Sequence, residues 1–255
     1  MLPQNLTTLL MMDRVSIADG RVRRPAGWWT PTVHALLRHL RSVGFTEVPE
    51  PLGIDDGTET LSWIPGESGA AGWAKVVPND GLRAFAHFLR RYHEATTGFT
   101  MIDGGHWALV DRPAQRGDVI CHGDFGPWNV VWRGAEPVGL VDFDFAGPGD
   151  PMLDVAYAVE YTAPFRSDEV AMRWHGFEAP PDRRHRMAVF AEAYGLPTAH
   201  KLADAVIERQ RLAVSHVQQL ADRNVQPQRS WVETGYVDEL AARVSWSLTH
   251  RHLVQ

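Results

Sequence analysis

His122, Asp124, Asn129, Asp142 and Asp144 crowd into one short stretch, ICHGDFGPWNVVWRGAEPVGLVDFDFAG, at positions 120–147. Gly123, Gly126 and Pro127 mark 122–129 as a loop. The runs VVW and VGLV read as two strands joined across RGAE, a hairpin. A hairpin returns the chain to its starting point. Asp142, at the end of the second strand, should therefore lie near Asn129, at the start of the first. A loop carboxylate, an amide five residues on and a second carboxylate on the return strand can then converge. That set suits phosphoryl transfer. An Asp can orient and deprotonate an attacking hydroxyl, and hard oxygen ligands can hold Mg²⁺ on nucleotide phosphates.

The elements that must position these groups fall into a small front and a larger back. VSIADGRVRR is a hairpin pattern around Asp19-Gly20. TPTVHALLRHLRSVGF reads as a helix, with Thr30 as N-cap, Pro31 in the first turn, an apolar stripe of Leu36, Leu37 and Leu40, and Gly44 as the stop. VPEPLGIDDGTETLSWIPGE reads as a second strand pair around Asp56-Gly57, ending in a Pro65-Gly66 turn. From Pro78 the pattern is mainly helical. NDGLRAFAHFLRRYHEAT sets Leu82, Phe85, Phe88, Leu89 and Tyr92 on one face. Beyond the polar stretch, helices are expected to begin near Pro151, Pro181, Thr198 and Trp231. The joint between the two lobes falls near Trp63 to Ser68.

Composition narrows the class of protein. The chain has 255 residues, 44% hydrophobic and 22% charged, which fits one large or two small soluble domains. No apolar run approaches the roughly 20 residues needed to span a bilayer, and LTTLLMM lacks the basic flank of a signal peptide. The single cysteine, Cys121, excludes an internal disulfide. These features predict a cytoplasmic protein. A net charge of −6 with no basic run argues against nucleic acid as a partner. The only lysines are Lys75 and Lys201; arginine supplies the remaining positive charge.

The polar stretch resembles the aminoglycoside phosphotransferase family, relatives of the protein kinases, whose catalytic loop reads H-G-D-x-x-x-x-N. His122, Gly123, Asp124 and Asn129 match it. Asp142 in LVDFDFAGPGDP matches the family's strand-end metal ligand, and Asp154 in LDVA matches its downstream D-x-A. LRRYHEA and LSWIPGE are similar to its first large-lobe helix and its inter-lobe hinge. The resemblance extends from about Val15 to Tyr161 and is strongest over 121–156.

It implies an α+β, bilobal protein-kinase-like fold. A reduced nucleotide-binding lobe would span 1–67 and a helical lobe 68–255. It also implies a small-molecule kinase that moves the γ-phosphoryl group of ATP or GTP to a hydroxyl, with Mg²⁺. A cationic acceptor such as an aminoglycoside-like antibiotic is among the candidates. By the resemblance, Asp124 is the base and Asn129 and Asp142 bind the metal. His122 braces the loop, and Asp154 ties it to the next helix through backbone N–H groups. Asp144 shares a strand face with Asp142 and is an orienting group or a second metal ligand. Trp63 and Ile64 at the hinge would meet the nucleotide base.

Three features depart from the family pattern. QNLTTLLMMDR offers no glycine-rich phosphate loop. No lysine falls on the strand expected to carry one; Arg23 or Arg24 takes its place, with Arg23 preferred because Val22 should face the core. The helix over 32–42 has no glutamate to pair with that cation, and His34 is the only polar residue near the expected position. Arginine can hold phosphate bidentately, so this loss need not abolish nucleotide binding.

In the helical lobe, Glu160, Asp168, Glu169, Glu233, Asp238 and Glu239 are candidates for binding a cationic acceptor. A solvated helix face is the expectation for most of them, and Glu160 is retained as a substrate ligand. Cys121 is read as a buried structural thiol, and His34, His39, His87 and His93 as packing or locally bonded. A pseudokinase-like binding or regulatory protein is the alternative. A metal-dependent hydrolase would need more closely spaced ligands than the sequence offers.

Overall fold

The computed structural model describes residues 15–110 and 112–254. The glycine-free segment at 4–14 therefore lies outside the described residues. The front lobe is a four-stranded antiparallel sheet in the order β1-β2-β4-β3, from β1 (Ser16–Ala18), β2 (Arg21–Pro25), β3 (Pro51–Asp55) and β4 (Thr58–Ser62). Both hairpins turn on the Asp-Gly pairs. Asp19 and Gly20 have φ of 51° and 70°, and Asp56 and Gly57 have 46° and 70°. Those left-handed pairs match the twist of the flanking strands.

Helix α1 (Thr30–Ser42) buries Val33, Leu36, Leu37 and Leu40. It begins one turn position earlier than the capping pattern predicts. Thr30 lies inside it, and its Oγ1 accepts from Gly27 N at 2.9 Å. Gly44, at φ 90°, follows its last turn as expected.

After the hinge come a short α2 (Ala71–Lys75) and the long α3 (Asn79–Ala95), whose face of Leu82, Phe85, Phe88, Leu89 and Tyr92 is fully buried. The polar stretch forms β5 (Val119–Cys121), a 3₁₀ turn at Pro127–Asn129, and the hairpin β6 (Val130–Arg133) and β7 (Glu136–Leu140). It closes with β8 (Gly147–Gly149), which pairs back onto β5. Helices α4 (Met152–Thr162), α5 (Asp168–His175), α6 (Arg183–Tyr194), α7 (Leu202–Asp222), α8 (Gln228–Glu233) and α9 (Tyr236–Thr249) complete the back.

Helix α5 has no counterpart in the sequence reading. Ser167 caps it, its Oγ accepting from Val170 N, and Gly176 ends it in a left-handed conformation. The helix expected near Trp231 is two, separated by Gly235 at φ 81°. One core runs through both lobes: α1 and Leu61 from the front, α3, the β6–β7 hairpin, α4 and α6 from the back. Among the described residues, no helix is long and apolar enough to cross a membrane.

Candidate active site

The β6–β7 hairpin closes as its sequence requires. Val130 pairs with Leu140, and Val141 N donates to Asn129 O at 2.9 Å. This puts the segment carrying Asp142 beside Asn129. Asp142 and Asp144 are not on a strand, however, which corrects the shared-face argument. Residues 141–146 are a turn, entered by Asp142 itself in the left-handed region at φ 68°. Phe143 between them points into the core. The turn, not strand alternation, brings the two carboxylates to one side.

Asp124 sits on the loop with Asn129 Nδ2 donating to its Oδ2 at 2.8 Å and to its backbone O at 2.9 Å. Tyr157 OH on α4 donates to Oδ1. Burial raises the Asp124 carboxyl to about 7, against the pull of the Tyr157 hydrogen bond. A carboxylate tuned there is suited to accept a proton near neutral pH.

The loop is braced from below. Asp154 Oδ2 accepts from His122 N at 2.6 Å and Oδ1 from Gly123 N at 2.8 Å. His93 Nε2 donates to Asp154 Oδ2 at 3.1 Å, and Tyr194 OH reaches His93 Nδ1 at 2.7 Å. Burial alone would raise Asp154; the hydrogen bonds from His93 and His122 outweigh it and hold it below the usual range. His122 donates Nε2–H to Val141 O at 3.0 Å and accepts from Asp124 N at 3.3 Å. Both ring nitrogens are therefore spent on the backbone, and burial lowers its pKa. Gly123 is obligatory: its φ is 81°, and a Cβ there would lie 2.2 Å from Phe145 O. Cys121 is buried, with Sγ against Asp150 O at 3.4 Å, as read from the sequence.

The front lobe reaches this site through Arg24, not Arg23. Arg24 and Glu59 are direct cross-strand partners on β2 and β4. Arg24 Nε donates to Glu59 Oε1 at 2.5 Å, Nη1 to Asp142 Oδ1 at 2.8 Å and Nη2 to Asp144 Oδ1 at 2.6 Å. Arg23 is exposed. The preference for Arg23 is thus corrected: the face shared by Val22 and Arg24 packs toward α1 and the cleft.

Glu59, which the sequence reading missed, is buried at 1% exposure. It also accepts from His34 Nε2 at 2.9 Å. The cation's acidic partner therefore comes from β4, and α1 contributes the histidine behind it. Burial opposes the charge on Arg24, but Asp144, Asp142 and Glu59 together raise its pKa.

Trp63 is exposed at the hinge, its N donating to Gly20 O at 2.8 Å. Ile64 lies close over Gly139 on β7, where a Cβ would come within 2.9 Å of it. Lys75 is engaged by Glu67 and Gly134 O. Of the six acidic candidates in the helical lobe, Glu160 is buried and the other five are exposed.

A cavity of about 160 Å³ opens on Asp124 and Gly123 from the helical side. Glu160 lines it, together with Tyr157, Arg209 and Arg243. Arg209, also missed from the sequence, donates Nη2 to Gly123 O at 2.9 Å and lies over the Tyr157 ring at 4.7 Å.

The oxygen donors of Asn129, Asp142 and Asp144 are hard ligands, chemically fit for Mg²⁺. The Arg24 guanidinium already holds positive charge beside two of them. Among the described residues, no group of three or more His, Cys, Asp or Glu side chains forms a metal site. A cation here would thus draw further ligands from nucleotide phosphates.

The sequence model of the phosphotransferase enzyme family matches residues 104–190, the span that holds the loop, the hairpin and Asp154. The trifolitoxin immunity protein of Rhizobium leguminosarum bv. trifolii is 33% identical over 250 residues, covering 94% of this chain and 93% of the relative. The fold is similar to that of the amicoumacin kinase hAmiN (TM-score 0.58, 14% identity, 94% and 93% of the two chains). It is also similar to that of the Plasmodium vivax ethanolamine kinase (TM-score 0.55, 10% identity, 93% and 81%). A full-length relative at one-third identity, together with a family match centred on the residues that surround Asp124, leads to one assignment: the chain belongs to the aminoglycoside phosphotransferase (APH) phosphotransferase enzyme family.

Proposed function

We propose that the protein is a small-molecule kinase that transfers the γ-phosphoryl group of ATP or GTP to a hydroxyl of a toxic or antibiotic compound. The observation that carries this reading is the position of Asp124. It lines the helical-lobe cavity, whereas Asn129, which bonds its Oδ2, and the Arg24–Asp142–Asp144 cluster do not. A hydroxyl entering the cavity meets a base, and a nucleotide between the lobes meets cations and hard ligands.

In the transfer, the acceptor oxygen bonds to the γ-phosphorus and the bond to the bridging oxygen breaks. The acceptor proton passes to Asp124, and the nucleoside diphosphate leaves. Bound Mg²⁺, held by Asn129 and Asp142, would offset the phosphate charge. Asp144 orients Arg24, and Arg24 holds phosphate oxygens once nucleotide draws it from the carboxylates. Trp63 and Ile64 contact the base. The helical lobe from residue 68 onward supplies the acceptor site, and the front lobe to residue 67 the nucleotide site. A cytoplasmic location, where nucleoside triphosphates are available, suits this activity.

One observation favours a second reading, a pseudokinase-like binding protein. Arg24 engages Asp142 and Asp144 directly, so nucleotide must break an existing cluster. The test is incubation with Mg-ATP or Mg-GTP and a panel of hydroxylated antibiotics and metabolites, read by mass spectrometry and nucleoside-diphosphate release. Acceptor-dependent gain of one phosphoryl group supports the kinase. Absence of nucleotide binding at millimolar concentration would support the binding protein.

A further inference from the structure

The charges in the helical-lobe cavity do not suit a polycation. Asp124 is committed to the loop and the reacting hydroxyl. Glu160, the other acid, is enclosed: Gln210 Nε2 lies 3.2 Å away, Arg243 Nη1 3.6 Å and Arg166 Nη2 3.8 Å. Two guanidiniums therefore already answer its single charge, and Arg209 adds a third positive group to the surroundings of the cavity. His216, also in the lining, is lowered to about 4 by burial and is neutral at pH 7. A cationic acceptor would be brought beside arginines, where like charges repel.

The unused hydrogen-bonding capacity has the opposite sign. Arg243 makes only long contacts, at 3.4 Å to both Tyr161 OH and Tyr236 OH, though a guanidinium offers five N–H donors. Arg166 Nε and Nη2 are buried without hydrogen-bond partners. Gln210 is 3% exposed, and its Oε1 also has none. Its orientation is set by chemistry: the Glu160 carboxylate only accepts, so the amide NH₂ must face it and Oε1 must face away. The cavity thus presents under-used donors from Arg243, while Gln210 Oε1, though unpaired, is closed off from solvent behind the lining. Its walls include the rings of Tyr157, Tyr161, Trp231 and Tyr236. Buried polar atoms left unpaired are costly, and a ligand that pairs them gains accordingly.

We infer that this cavity takes an anionic acceptor, a hydroxyl compound with a carboxylate for Arg243 and a flat or apolar body for the aromatic wall. A hydroxylated N-acyl amino acid, or the C-terminal end of a peptide, has this chemistry. The inference rests on the kinase reading for the fate of the hydroxyl, but not for binding.

The probes are three tyrosine derivatives that differ in charge: N-acetyltyrosine (anion), N-acetyltyrosinamide (neutral) and tyramine (cation). Binding to the full chain is measured by calorimetry or saturation-transfer NMR without nucleotide. The anion should bind about tenfold or more tighter than the amide, the scale of a charge-assisted hydrogen bond, and the cation weakest. Arg243→Met should bring the anion down to the level of the amide, and Arg243→Lys should restore part of the preference. If tyramine binds as well as the anion, if none of the three binds, or if Arg243→Met weakens all three alike, the inference falls. The kinase reading is judged separately. Anion preference without phosphoryl transfer to any hydroxyl would sink the kinase and leave the cavity assignment standing. Transfer to a cationic antibiotic would do the reverse.

Discussion

Arg24 and Asp142, from opposite lobes, are joined by a hydrogen bond of 2.8 Å. The same guanidinium also reaches Glu59 and Asp144, so three carboxylates converge on one cation. This junction stands where the family resemblance would place a lysine–glutamate pair, with the acid on a strand and not on the helix.

Arg24→Ala should therefore weaken Mg-nucleotide binding by roughly 1.5–3 kcal/mol, the usual loss for a charge-assisted contact. Arg23→Ala should change it little, because Arg23 faces solvent. Calorimetric titration of both variants decides the matter; equal losses would mean that Arg24 serves only to tie the lobes together.

Asp142→Ala should reduce the Mg²⁺-dependent part of nucleotide binding more than Asp144→Ala does. Asp142 adjoins the backbone bond between Val141 and Asn129, so it and Asn129 can serve one ion together. Titrations with and without Mg²⁺ give the difference for each variant. Loss of similar size in both would make Asp144 an equal ligand.

Glu59→Ala should cost about 3–5 kcal/mol of folding stability, as expected when one partner of a buried charge pair is removed. The reason is its 1% exposure and its simultaneous bonds to Arg24 and His34. Arg24→Ala combined with Glu59→Ala should cost less than the sum of the two. Urea unfolding of the three variants measures the coupling; simple additivity would argue that the pair is not energetically linked.

The reach of the sequence follows from how local each feature is. The loop, the hairpin and the meeting of Asn129 with the segment of Asp142 were legible, because they depend on turn residues and a short chain reversal. Asp154 under the loop was legible only through the family motif. Glu59 was not: its role depends on the β2–β4 register that sets it opposite Arg24, a pairing of distant residues. His34 could be flagged as the sole polar group in its place, but not its partner. The sequence favours Arg23 over Arg24 only if Val22 turns away from the cleft. In the fold, core and cleft lie on the same side of β2. Arg209 and Gln210 on α7 and Arg243 on α9 are invisible as site residues, because on amphipathic helices they look like ordinary solvated positions. Helix α5 is too short to show a clear apolar stripe, and Ser167 with Gly176 was its only signal.

His175 predicts an acid-sensitive fold. It is buried against Trp73, with ring centroids 4.5 Å apart, and neither ring nitrogen has a hydrogen-bond partner. Burial, helped by Arg166 and Arg186, lowers its pKa to about 3 from 6.5. Above pH 6.5 the ring is neutral in both folded and unfolded chains and contributes no pH dependence. Below it the unfolded chain takes up a proton that the folded one refuses, so stability falls as the pH drops toward about 3. Between pH 6.5 and 5 this amounts to about 2 kcal/mol for one group. His175→Phe should lose correspondingly less stability over that interval in urea titrations. Parallel curves for variant and wild type would show that the ring is protonated in the fold.

Asp124→Asn tests the base itself. The amide keeps the shape of the carboxylate: its oxygen can still accept from Asn129 Nδ2, and its NH₂ can donate to the Tyr157 hydroxyl, which also accepts, so the loop should hold its conformation. Asp154, His93 and His122 support that loop without contacting the reacting side of Asp124. The thermal melt and Mg-nucleotide affinity should therefore stay close to wild type. Turnover should fall by about 10²-fold or more, because an amide cannot take the acceptor's proton and general-base catalysis is worth that much. Asp154→Asn offers the contrast. It turns one of the two buried carboxylate oxygens into a donor, so one of the backbone N–H groups of His122 and Gly123 loses its acceptor, and stability and activity should fall together. If Asp124→Asn turned over like the wild type, proton removal would not lie with this residue. If it lost nucleotide binding as well, Asp124 would belong to the nucleotide site and not to the hydroxyl's.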